Sequence, residues 1–117
     1  MKQTSRRPRA GAAVVILASY PGRASALRAA RALVRDRLLA CATVQGGGTA
    51  VYRWSGRTQE EASTLLWGKT AATAADRAIE AIRALHPDEV PEILVLRVAK
   101  GYRPYLRWLE QSAGEAR

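Results

Sequence analysis

The sequence predicts a small α+β domain whose elements run β-α-β-β-α-β-α. Three observations carry this expectation. Short apolar runs rich in β-branched residues stand near each end, at 12–19 and 90–98. Two stretches of helical periodicity, 23–39 and 74–85, flank a central extended region. A turn signal at Ser55-Gly56 folds that central region back on itself. With 117 residues, 48% apolar and 25% charged, the chain has the length and composition of one globular domain.

Residues 1–11 are basic and polar, with Pro8 and Gly11, and are expected to form a flexible tail ahead of a domain spanning 12–113. Ala12 to Ser19 (AAVVILAS) is a continuous apolar run suited to a strand covered on both faces. From Arg23 to Leu39, Leu27, Ala30, Val34 and Leu38 recur at steps of three or four, giving a helix with those residues inward. Cys41 to Trp54 is extended but interrupted by Gly46-Gly47-Gly48, which points to a bulge or bend. After the turn at Ser55 to Thr58, Glu61 to Thr70 returns as a strand. It sets Leu65, Trp67 and Lys69 on one face and Leu66, Gly68 and Thr70 on the other. Ala74 to Leu85 is a second helix with Ala75, Ala78, Ile79 and Ile82 inward, stopped ahead of Pro87. Val90 to Val98 forms the fourth strand and Tyr102 to Ser112 a closing helix.

This order is the split βαβ plan, a ferredoxin-like sandwich with an added C-terminal helix. Many functions share that plan, so the order alone assigns none. Its hairpin is long: two strands of about ten or more residues, where ~5–6 is usual. Such an arm leaves unpaired edges that need covering, and neighbouring subunits are the simplest cover.

Lys and Arg outnumber Asp and Glu by 19 to 10, a net charge of +9. Lys2, Arg6, Arg7 and Arg9 lie in the tail, while Arg23, Arg28, Arg31, Arg35 and Arg37 crowd the first helix. The plainest reading is a solvated arginine face plus a loose tail. The single cysteine, Cys41, excludes an intrachain disulfide and fits a reducing, cytoplasmic setting. The basic start, the apolar 11–18 and Ala24-Ser25-Ala26 imitate a secretory leader, but cleavage there would remove the first strand. No run of ~20 apolar residues exists to span a membrane as a helix.

Five segments together resemble the CutA family of divalent-cation tolerance proteins: LVRDRLLACA (33–42), VYRWSG (51–56), LLWGKT (65–70), HPDEVPEI (86–93) and YLRWL (105–109). They occur in the family's order and cover roughly Val14 to Leu109. The resemblance implies a ferredoxin-like protomer whose long hairpin wraps its neighbours in a homotrimer. It also implies an association with tolerance of divalent metals, copper above all, with no reaction established. A cytoplasmic protein with no obligatory cofactor follows, copper or another divalent cation being the ion to consider. Its partners would be its own copies and metal ions rather than a membrane. PII-type signalling trimers share the architecture, so a small effector bound at subunit clefts is the alternative. Where the family's copper ligands include a cysteine at the end of the first strand and a histidine pair before the proline, this sequence has Ala18 and Leu85-His86.

Cys41 and His86 are the soft ligands besides Met1. Cys41 reads more readily as a small buried hydrophobe than as a ligand, and His86 equally as a ligand and as a residue complementing a helix C-terminus. Asp88, Glu89 and Glu92 follow His86 closely and could hold a divalent ion weakly with it. Pro87 and Pro91 could equally serve only to fix an extended entry to the last strand. A glutamate within an apolar strand needs a partner, and Lys69 is the expected one for Glu92, near a cleft between subunits. Tyr52, Trp54, Trp67, Tyr105 and Trp108 are expected in core or interface packing. No nucleophile elbow or P-loop is present. The aromatic pattern of an RNA-recognition motif is missing too, so nucleic acid is not an expected partner.

Overall fold

The computed structural model describes residues 12–113. The predicted tail, 1–11, lies outside them. The elements are β1 (Ala13–Tyr20), α1 (Arg23–Arg35), β2 (Cys41–Trp54), β3 (Arg57–Ala71), α2 (Ala75–Leu85, entered by a single 3-10 turn at Ala72–Ala74), β4 (Ile93–Arg97) and α3 (Arg103–Ser112). They form one sheet in the order β2-β3-β1-β4, with every neighbouring pair antiparallel. This is the ferredoxin-like topology the sequence predicts.

Alternation along β1 decides how the sheet is covered. Val14, Ile16, Ala18 and Tyr20 face one side and are almost wholly buried, while Val15, Leu17 and Ser19 on the other side are half-buried. The buried side meets Ala26, Ala29, Ala30 and Leu33 of α1, and Ala75, Ala78 and Ile82 of α2, in one core joined by Leu39 and Leu66. The stripe expected for α1 (Leu27, Ala30, Val34, Leu38) is therefore rotated: of those four, only Ala30 is buried. Alanines face the sheet because they let the helix approach closely. The bulkier Leu27 and Val34 turn toward the β2 flank, beside Ala42 and Val44. The helix also stops at Arg35, earlier than expected. Arg37 takes φ +64°, and its amide donates to Val34 O at 3.1 Å while that of Leu38 donates to Leu33 O at 2.9 Å. These two bonds are a Schellman ending in which an arginine holds the usual glycine position.

The first hairpin strand has the predicted bounds and 14 residues, and the second is longer than predicted at 15. The two-residue turn between them places Ser55 at φ +53° and Gly56 at φ +74°. Both central residues at positive φ make a type I′ turn, whose twist matches that of the strands. Gly46 and Gly47 stand opposite Thr64 alone, since Gln45 pairs with Leu65 and Gly48 with Ser63. This is the bulge the glycine triplet signals, with Gly47 at φ +85°.

Residues directly opposite one another share a face, so Cys41, Lys69, Val15 and Leu96 lie together on the side away from the helical core. The third helix, α3, lies on that side: Tyr105 Oη is 3.5 Å from Cys41 Sγ, and Leu109 is buried. α3 covers only part of the face. β4, an edge strand shorter than expected, exposes Leu94, Val95 and Leu96 at 48, 37 and 45%.

Candidate acidic groove

His86 sits at the C-terminal end of α2, almost fully buried and stacked on Tyr20 with ring centroids 4.3 Å apart. The amide of Asp88 donates to its Nδ1 at 3.0 Å. That leaves the proton on Nε2, which donates to Ser19 O at 2.6 Å. Both ring nitrogens are thus committed to the backbone. The imidazole acts as a peg that fixes residues 86–92 against the end of β1, and Ser19 N donates to Glu92 O at 3.4 Å a few residues on. Pro87 and Pro91 keep the intervening chain extended, so β4 begins only at Ile93.

Pegged there, the segment walls a surface groove of about 670 Å³ whose opposite side is the hairpin. Asp88, Glu89 and Glu92 come from the segment, and Glu61, Tyr52 and Trp54 from the hairpin. No lysine or arginine lines it, although the chain carries +9. Among the described residues none of these carboxylates forms an ion pair with Lys or Arg. The nearest charge pairing is Asp88 Oδ2 at 4.0 Å from His86 Nδ1. The phenol of Tyr52 is held above its ordinary pKa, first by burial and then by the neighbouring Glu61 carboxylate and the charge of Asp88.

The structure therefore brings together Asp88, Glu89, Glu92, Tyr52 and Trp54, with His86 behind them as a support. It does not bring in Cys41, Lys69, Tyr105 or Trp108. Those occupy the face under α3, where Tyr105 and Trp108 stack at 5.7 Å. Trp67 shares that face through its register and donates from Nε1 to Gln45 Oε1 at 3.1 Å. The Tyr105 phenol is pushed up to about 12, chiefly by its contact with Cys41 and then by burial. The expected Lys69–Glu92 pair does not form within the protomer. Lys69 stands opposite Val15 on β1 whereas Glu92 bonds at Ser19, four residues or about 13 Å along the strand. Cys41 and His86 are likewise held apart, and among the described residues no three His, Cys, Asp or Glu side chains cluster to hold a metal ion. Sequence reasoning missed Glu61. Its signal was the pair Glu60-Glu61, the other adjacent acidic pair besides Asp88-Glu89. What the sequence lacked was the hairpin path that carries it to the 86–92 segment.

The family profile described as CutA1 divalent ion tolerance protein matches residues 14–112, almost all of the described chain. The chain belongs to the CutA1 family. The divalent-cation tolerance protein CutA of Thermus thermophilus is 42% identical over 100 residues, covering 86% of this chain and 97% of that relative. Its counterpart in Escherichia coli K12 is 36% identical over 101 residues, covering 86% and 90%. Among solved structures, Cut A1 from Thermus thermophilus superposes with a TM-score of 0.85 at 41% identity over 87% of this chain and 99% of that one. CutA1 from Oryza sativa gives 0.86 at 31% identity over 92% and 98%. These CutA1 relatives are named for tolerance of divalent cations and not for a reaction. No helix among the described residues is long and apolar enough to cross a membrane.

Proposed function

We propose that this CutA1 protein serves divalent-cation tolerance without catalysing a reaction, as a homotrimer that takes up divalent cations weakly at its acidic groove. The observation that carries this reading is the gathering of Glu61, Asp88, Glu89 and Glu92 in one groove free of basic residues. Four carboxylates lining one groove with no basic neighbour give it a negative field that draws in a cation. Carboxylate oxygens suit hard or borderline ions in loose, partly hydrated geometry. Soft-ion selectivity has little support here, because Cys41 lies at the far end of the sheet against Tyr105 and the nitrogens of His86 are engaged. The protomer gathers no closed ligand set. The ion keeps much of its water or completes its shell from a neighbouring subunit, which sets a weak affinity. The same charge argues against an anionic effector, such as a nucleotide, in this groove.

Support for assembly comes from the apolar β4 edge and from the exposed Val51, Trp54, Val90 and Tyr102 on the hairpin and connecting segments. The test is calorimetric titration of purified, tag-free protein with Mn²⁺ and Cu²⁺. Binding weaker than micromolar, lost in Glu61→Gln/Glu89→Gln/Glu92→Gln, is the expected result. A nanomolar copper site that survives the triple substitution would overturn the reading.

A further inference from the structure

Charge of the opposite sign accumulates elsewhere, on the outer face of α1. Arg23, Arg28, Arg31 and Arg35 are all exposed there and line a surface depression of about 810 Å³. From Arg23 to Arg35 the row rises about 18 Å along the helix axis. Folding gains nothing from this arrangement. Arg28, Arg31 and Arg35 follow one another at i+3 and i+4, where like charges destabilise a helix. Arg23 opens a first turn with no acidic residue, the end of the helix dipole that favours anions. Of these four arginines only Arg35 has a carboxylate partner among the described residues, the adjacent Asp36 at 3.0 Å, and both side chains are largely solvated. Arg23, Arg28 and Arg31 have none.

We propose that this face binds the phosphate backbone of nucleic acid without reading its sequence. Guanidinium forks match phosphate oxygens bidentately, and a row of this length spans several phosphates of a duplex carrying one charge per ~1.7 Å. No aromatic side chain lines the depression, so bases have nothing to stack on and the backbone is the only target. A bilayer fits less well, because an interfacial helix needs a bulky apolar face to insert, and α1 gives Ala26, Ala29, Ala30 and Leu33 to the core. In the protomer α1 lies across the sheet from the half-covered side and outside the acidic groove.

Fluorescence anisotropy of the full chain with a labelled DNA duplex of about 20 base pairs tests this. The four phosphate contacts of α1 contribute about −3.6 to the log K against log salt slope, or roughly a hundredfold loss of affinity between about 50 and 200 mM, and the tail cations steepen it further. Arg23→Gln/Arg28→Gln/Arg31→Gln should make the slope shallower by about 2.7, with no fall in melting temperature and no change in Mn²⁺ binding. Deleting residues 2–10 removes Lys2, Arg6, Arg7 and Arg9; it should weaken binding yet leave the effect of the triple substitution in place. No duplex binding by the full chain would overturn the proposal. So would an unchanged slope in the triple variant, loss of all binding on tail deletion alone, or binding only to phosphatidylserine vesicles.

Discussion

His86 shows how far a residue's chemistry depends on what its neighbours have already claimed. From sequence it reads equally as a soft ligand and as a residue complementing a helix C-terminus. In the structure one nitrogen donates to Ser19 O and the other accepts from Asp88 N, so its work is to hold the groove wall in place. His86→Ala would remove two buried hydrogen bonds and the stack on Tyr20. The expected cost is about 2–4 kcal/mol in denaturant unfolding, and a change below about 0.5 kcal/mol would show that the peg is dispensable. Tyr20 gives a second residue-level expectation. Its hydroxyl is buried without a hydrogen-bond partner, and burial raises its pKa from 10.0 to about 12. The folded chain thus keeps a proton that the unfolded chain gives up. The stability this contributes is intact below pH 10 and is lost as pH rises through about 12. Denaturation midpoints should fall across that window more steeply in the native sequence than in Tyr20→Phe, and Tyr105 should supply the alkaline response that remains. Identical slopes in the two proteins would contradict the burial argument. Neither role was legible beforehand, because partners to a ring nitrogen or a phenol are set by packing and not by spacing.

At the scale of elements, much more could be read in advance. The order of strands and helices, the glycine bulge and the tight turn all follow from local chemistry. β-branched runs, glycines and Ser55-Gly56 dictate backbone choices without reference to distant residues. Boundaries and facings were less legible. The face of α1 departs from the periodic one because periodicity marks the large apolar residues, whereas close approach to the sheet selects Ala26, Ala29 and Ala30. The end of α1 was placed at Leu39 because no glycine stands at the stop; Arg37 adopts the left-handed conformation instead. That conformation costs a non-glycine residue about 1–2 kcal/mol, partly offset by the greater freedom glycine has when unfolded. Arg37→Gly should therefore raise stability by about 0.5–1 kcal/mol, seen as a higher melting temperature by calorimetry. A lower one would mean that the Arg37 side chain contributes contacts exceeding the backbone cost.

The whole molecule measures 56 × 26 × 22 Å, drawn out by a hairpin longer than the sheet needs for its own closure. The groove follows from that length, since Glu61, Tyr52 and Trp54 reach it only because the arm extends past β1. Five of the residues singled out from sequence meet there because they flank the same junction. Cys41 and Lys69 fall outside because the register pairs them at the far end of the sheet, eight residues along β3 from Glu61. The arm and the exposed apolar edge at β4 are what the proposed self-association would cover, and that association is the central claim on which the reading of the groove rests. Sedimentation equilibrium at micromolar concentration tests it most directly. The account predicts a single species about three times the 12.7 kDa protomer, reduced to the protomer mass by Leu94→Lys/Leu96→Lys with far-ultraviolet circular dichroism unchanged. A stable, soluble monomer of the native sequence would contradict it.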